Sequence, residues 1–206
     1  MSNKKLEMPC PYVSYSQLAL FERDPLAYYE QYFVARVDWA NEKMTFGKIF
    51  QEAWCDKKYN YEKELTKAGY TSDYVRVIKA ALTNQATIKM PKIMTETKIT
   101  VKTDKMLWPM LCILDGFNPK LKTVIENKMG AWWSEKMVKE SAQLTWQMMS
   151  VKIDLGFKPK HLLQTFNSKS GIPRLFVVKR TKNDFNDLVE RVNIMVTKVQ
   201  AGDFTK

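Results

Sequence analysis

The sequence predicts an α/β (α+β) domain with a mixed central β-sheet flanked by helices, and three observations carry that expectation. Three runs with strand character, 94–103, 105–114 and 121–128, follow one another directly. Two more, 162–166 and 175–179, come later. Apolar residues at helical spacing lie before, between and after these groups. Such an order packs helices onto a sheet. The 206 residues fit a single domain with a sizeable core. At 45% hydrophobic and 27% charged, the composition is that of an ordinary globular protein.

Each element has a local signal. Residues 1–12, MSNKKLEMPCPY, lack the apolar segment of a signal peptide and read as a flexible tail. Ser14 and Gln17 form a capping box, so a helix starts near Tyr15 and buries Leu18, Leu20 and Phe21. Asp24 then caps a second helix with Pro25 in its first position, and Leu26, Tyr29, Tyr32 and Phe33 follow at helical spacing. Thr45 is the expected cap of a third helix, from Phe46 to about Lys58, with the stripe Phe46, Ile49, Phe50, Ala53 and Trp54. Gln51 and Glu52 lie beside that stripe, where either can reach a cleft at its edge. The charged segment 57–70 is expected at the surface, irregular or helical. A helix capped by Thr71 or Ser72 follows and ends by Pro91.

Ser134 is the expected cap of one long helix reaching about Val151. Gln143 and Gln147 sit one turn apart on a common face of it, and Lys136 and Lys139 add positive charge near its start. His161, the one histidine, has no partner at metal-ligand or triad spacing. Thr181 with Asp184 caps the last helix, whose stripe runs from Phe185 to Val199 before Gly202 ends it.

The formal net charge of +11 favours a polyanionic partner, either nucleic acid or an anionic surface. No apolar run approaches the length of a membrane span. Cys10, Cys55 and Cys112 are odd in number and form no CxxC pair. That usage fits a reducing cytoplasm and argues against structural zinc or a disulfide framework.

The most informative stretch is 111–130, LCILDGFNPKLKTVIENKMG. An apolar strand meets a turn cluster of Gly116, Asn118 and Pro119, and a second strand follows. Alternation puts Glu126 and Lys128 on one face, roughly 7 Å apart along the strand. Asp115 can join them only if the two strands splay at the turn. Two carboxylates suit a hard cation such as Mg²⁺ or Mn²⁺. Such an ion polarises a phosphate and lowers the pKa of a bound water. The Lys128 ammonium can orient that water or stabilise developing charge. Trp132 and Trp133, just past this strand, can stack on an unpaired base or serve as hydrophobic cover.

Taken together, these segments resemble the PD-(D/E)XK nuclease superfamily in its RecB-type exonuclease branch, over nearly the whole chain from about Val13 to Phe204. SYSQLALFERDPLAYYEQY resembles the family's opening pattern, and FGKIFQEAW its helix with Gly and, four residues on, His. Glu96 resembles the acid that often precedes the central strands. LDGF followed by VIENKMG resembles the Asp and Glu-x-Lys motifs, and SAQLTWQ the helix carrying Gln-x-x-x-Tyr. The resemblance implies a restriction-endonuclease-like core with Asp115, Glu126 and the backbone carbonyl of Asn127 as ligands of Mg²⁺ or Mn²⁺. It implies Lys128 as the catalytic lysine and Gln143 as the group that places Lys128 or the substrate phosphate. The family's His falls on Gln51, a weaker donor, so Gln51 contributes, Glu52 rotates in, or a second metal is lost. The Tyr falls on Gln147, which with Trp132 and Lys136 is expected to contact nucleic acid. The Cys of the opening Cys-Pro falls on Asp24 and no cysteine cluster closes the chain, so no iron–sulfur cluster is expected.

The implied activity is metal-dependent hydrolysis of DNA phosphodiester bonds, leaving a 5′-phosphate and a 3′-hydroxyl. An exonuclease of recombination, repair or phage DNA processing fits best, with DNA as partner and a second copy or a helicase or recombination protein as further ones. Two rivals remain: a degenerate DNA-binding module, favoured by Gln51 and Gln147, and a protein-interaction subunit with a basic face.

Overall fold

The computed structural model describes residues 6–35, 42–84, 94–130 and 133–205. Its centre is a six-stranded mixed sheet of β1 (Val13–Ser14), β2 (Met94–Val101), β3 (Met110–Asn118), β4 (Thr123–Met129), β5 (Lys160–Phe166) and β6 (Pro173–Val178). The strand order is β1-β3-β4-β5-β6, and β2 pairs with β3. Three pairings are antiparallel, β2 with β3, β3 with β4 and β5 with β6. The β4–β5 pair is parallel, and parallel neighbours need a long crossover. That crossover consists of α6 (Glu135–Glu140) and α7 (Ala142–Leu155).

Helices cover both faces, which is why Thr123 to Asn127 of β4 are all buried. On one face α1 (Tyr15–Arg23), α7 and α8 (Lys182–Ala201) enclose a core that includes Leu18, Val124, Leu144, Leu163 and Val196. On the other, α3 (Glu42–Cys55), α4 (Tyr61–Lys67) and α5 (Ser72–Asn84) pack Phe46, Phe50, Leu65 and Ile78 around Phe166. Leu163 and Phe166 of β5 differ by an odd number of residues, so they belong to opposite faces. The short α2 (Pro25–Tyr29) follows its Asp24 cap and runs into a π-helical turn, Glu30–Ala35. The capping boxes at Ser14 and Thr181 both form, and Gly202 closes α8 in the left-handed conformation.

Several expectations are corrected. Residues from Leu6 onward are not a loose tail: the Leu6 N–H donates to the Gln200 carbonyl and Trp108 Nε1 donates to the Cys10 carbonyl. Thr45 lies inside α3, because that helix begins three residues earlier. The segment 57–70, by contrast, meets the helical form of its expectation: it contains α4, capped by Asn60. The expected helix from Ser134 to Val151 is two helices, because Ser141 leaves helical geometry (φ −66°, ψ 110°) and caps α7. A buried arginine fixes this break. Arg180, 3% exposed, donates to the carbonyls of Val138 and Ser141 and to Thr145 Oγ1. The turn cluster also acts later than expected: β3 runs on through Gly116 to Asn118, so Asp115 lies within the strand.

Two features of this framework have measurable consequences. Gly171 has φ +66°, and a Cβ there would lie 2.6 Å from the Val77 carbonyl and 2.8 Å from the Ala81 nitrogen of α5. The loop between β5 and β6 therefore rests directly on a helix backbone. Gly171→Ala is expected to cost about 2 kcal/mol or more, from left-handed strain and from backbone displacement together. Thermal denaturation measures it, and an unchanged Tm would remove this contact from the account.

His161 is completely buried. Burial and then the charge of Arg180 push its pKa down to about 3, with the Leu144 backbone opposing. A depressed value means that the unfolded chain binds the proton first. The stability contributed is whole above the ordinary histidine value of about 6.5 and shrinks as pH falls towards 3. About 2 kcal/mol should be lost between about pH 6.5 and pH 5 through this group. His161→Leu should flatten that part of a denaturant-midpoint profile.

Candidate active site

The hairpin of β3 and β4 assembles the site because its ladder stops early. Pairing runs from Asn118↔Thr123 to Gly116↔Ile125. One residue further, the Asp115 side chain replaces the backbone partner, and Oδ2 accepts the Asn127 N–H at 2.9 Å. This is the splaying that the sequence requires, and it sets Asp115 beside Glu126. Opposite Asp115 on the other side lies Glu96, between the pairs Thr95↔Gly116 and Thr97↔Leu114. Glu96 has φ +50°, a conformation that non-glycine residues adopt only where surroundings enforce it. The alternation of buried residues along β3 also breaks here. Met110, Cys112 and Leu114 are buried, and then Gly116, Phe117 and Asn118 are buried in succession.

Glu126 is 1% exposed, yet both of its carboxylate oxygens are satisfied. Oε1 accepts from Gln143 Nε2 at 2.6 Å and lies 2.5 Å from Lys128 Nζ. Oε2 accepts from Gln147 Nε2 at 2.5 Å. The two glutamines reach it from the first turns of α7, so the Ser141 break determines where these amides sit. Gln147 is 2% exposed, and its amide is engaged with Glu126. The expected contact between Gln147 and nucleic acid is therefore corrected. It orients a carboxylate instead.

The charges explain the protonation behaviour of the group. Burial, and then the Glu126 carboxylate, hold Asp115 well above the ordinary carboxylate range, with Lys128 and the Asn127 amide opposing. Loss of hydration alone would lower the Lys128 pKa, but Glu126 and Asp115 raise it overall. The ammonium is thus held charged beside the two acids, while its side chain keeps 31% exposure.

On α3, Gln51 and Cys55 share a face, and Gln51 Nε2 donates to Cys55 Sγ at 3.3 Å. Burial raises the Cys55 pKa; Glu96 and Asp115 add to this, and hydrogen bonds from Thr95 and Gln51 oppose it. The Gln51 face of α3 therefore closes the Asp115 side of the site. Burial raises the Tyr59 phenol pKa, and the carboxylates of Glu64 and then Glu52 add to it, which places Glu52 towards that ring. Cys55 carried no pattern of its own in the sequence; its position one turn after Gln51 is the signal that could have placed it here. Lys136 is exposed on α6, 3.9 Å from Glu140. Trp133 packs against the main core and its carbonyl accepts from Arg174, so it acts as cover, whereas Trp132 lies outside the described residues. The Asn127 side chain is buried with neither polar atom paired.

Among the described residues, no three His, Cys, Asp or Glu side chains stand as a ready metal cage. The donor set nevertheless fits a hard cation that keeps most of its waters. Burial, and then the Glu126 carboxylate beside it, hold Asp115 towards its neutral form, a penalty that a divalent charge would relieve.

No family model matches the sequence, and no curated protein matches it. The fold, however, is similar to the crystal structure of a Eubacterium rectale protein described as a "Putative exonuclease", with a TM-score of 0.68. The match spans 94% of this chain and 82% of that one at 12% identity. A second structure, SSO0001, covers 88% of this chain and 86% of its own at 12% identity, but its TM-score of 0.33 carries no argument. The likeness to the Eubacterium rectale protein establishes the fold, a six-stranded mixed sheet with flanking helices. Among the described residues no helix is long and apolar enough to cross a membrane.

Proposed function

We propose that the chain is a Mg²⁺- or Mn²⁺-dependent deoxyribonuclease that hydrolyses DNA phosphodiester bonds, acting as an exonuclease in recombination, repair or phage DNA processing. One observation carries the reading: Asp115, Glu126 and Lys128 converge at the end of the β3–β4 ladder, with Lys128 Nζ 2.5 Å from Glu126 Oε1. Asp115, Glu126 and the Asn127 carbonyl would hold the ion. When bound, the ion would supply a Lewis acid for the phosphate and a water of lowered pKa.

The chain's own residues do the rest. Lys128 keeps its proton and directs it at an attacking water or at charge developing on a phosphate oxygen. Gln143 and Gln147 fix both oxygens of Glu126, so that carboxylate enters the reaction already oriented. Gln51 spends its Nε2 on Cys55, which leaves its oxygen as a donor towards an ion or a water. Glu52, next to Tyr59, is the weaker candidate of the two. The surplus of lysines supplies sequence-independent phosphate contacts.

One observation favours the rival of a degenerate DNA-binding module: internal donors already occupy both Glu126 oxygens. The purified chain, given linear and circular DNA in single- and double-stranded forms with and without Mn²⁺, separates the readings. The nuclease reading expects metal-dependent loss of linear DNA, circular DNA surviving, and 5′-phosphate ends. Salt-sensitive binding without cleavage would establish the degenerate module, and absence of both would leave a protein-interaction subunit.

A further inference from the structure

The side of α7 turned away from Glu126 bounds a second concavity. Gln143 and Gln147 point from this helix towards the carboxylate, whereas Met149, Lys152 and Ile153 line a groove of about 710 Å³ against α8 and the 102–109 loop. Its floor is the main core itself: Met106, Met149 and Phe185 are 3%, 2% and 8% exposed. Methionine side chains adapt to varied apolar partners. Val189 and Ile194 of α8 form an apolar wall, and Ile194 is 50% exposed.

The rim carries the opposite character. Lys105, Lys152, Lys182 and Lys198 surround the groove and Glu190 alone opposes them. Lys198 lies 3.6 Å from Asp203. Among the described residues the other three have no carboxylate partner, and the Lys152 ammonium stands 5.3 Å from the centre of the Phe185 ring. The groove is also preformed. Asn193 of α8 donates to the Lys105 carbonyl and accepts the Leu107 N–H, both at 2.8 Å, and so pins the loop to the helix.

We propose that this groove docks an acidic, amphipathic peptide segment of a partner protein. Its apolar side chains pack against Ile153, Val189 and Ile194 above that floor, and its carboxylates meet Lys105, Lys152 and Lys182. Charge complementarity selects this occupant. A nucleic-acid strand has no use for a methionine floor, and the one aromatic ring on that floor is too deeply buried for a base to stack on. The inference does not depend on the nuclease reading, because no residue of the groove touches Asp115, Glu126 or Lys128.

The test titrates the full chain into a fluorescein-labelled peptide that alternates Glu with Leu and Phe, read by anisotropy. Saturable binding is expected, weakened about tenfold or more by Ile194→Asp and by the pair Lys152→Glu with Lys182→Glu. A peptide with Gln for every Glu should bind about tenfold more weakly, and any cleavage of DNA should be unaffected by Ile194→Asp, which removes no lysine. Unchanged Tm values show that the variants fold. Absence of saturable binding, or full affinity in both variants, overturns the proposal. So does displacement of the peptide by oligothymidylate, since the groove would then be a track for nucleic acid.

Discussion

Lys128→Ala is expected to reduce DNA cleavage about a thousandfold while leaving DNA affinity nearly unchanged, the size of loss seen when one preorganised donor to developing charge is removed. The asymmetry follows from position. Lys128 is one cation among 33 Lys and Arg residues, so its share of phosphate attraction is small. Yet it is the ammonium found against Glu126. Removing it leaves Glu126 hydrogen-bonded to the Gln143 and Gln147 amides, which keep the carboxylate in place. Single-turnover cleavage and equilibrium DNA binding, measured side by side, read the two effects. Cleavage at the normal rate in this variant would take Lys128 out of the mechanism.

Asp115→Asn should abolish cleavage and, in metal-free buffer, raise the Tm. Asp115 holds its proton above the ordinary carboxylate range because burial and Glu126 penalise its charge. A raised value in the folded state means that the folded chain binds the proton more tightly than the unfolded one. The part of the stability that depends on Asp115 is therefore fullest at acid pH and falls as pH rises through the raised value. The amide variant escapes this penalty. Mn²⁺ should reverse the order: it should stabilise the parent chain by several degrees at neutral pH, less at acid pH where protons compete, and the variant hardly at all. An equal response of both chains to Mn²⁺ would exclude Asp115 as a ligand.

The fold was largely legible because its signals are local. Apolar period distinguishes strands from helices, and Ser14, Asp24 and Thr181 announce three helix starts through side chains that satisfy their own first turns. The Ser141 break was not legible, since the group that enforces it, Arg180, is 39 residues away. Alternation along one strand made the Glu126–Lys128 pair readable. Asp115 was harder, because its approach depends on a ladder that fails one residue before it, and nothing in a strand sequence marks where pairing stops. Gln147 was misplaced for a related reason. Spacing put it on the correct helix face but could not reveal that the face is buried. Cys55 was passed over because its relevance comes from Gln51, Thr95 and Glu96, which meet only after folding.

The clasp on the α6–α7 junction has a consequence for synthesis. Its guanidinium comes from Arg180, two residues past the end of β6 and far downstream of the helices it ties. A nascent chain can complete the β3–β4 hairpin, and even α7, before that group has left the ribosome. The two glutamine amides are then not yet anchored, and the acid they orient has no fixed posture. A fragment ending before residue 180 should keep much of its secondary structure while leaving Glu126 without a fixed orientation, so the geometry of the site waits on residues beyond β6.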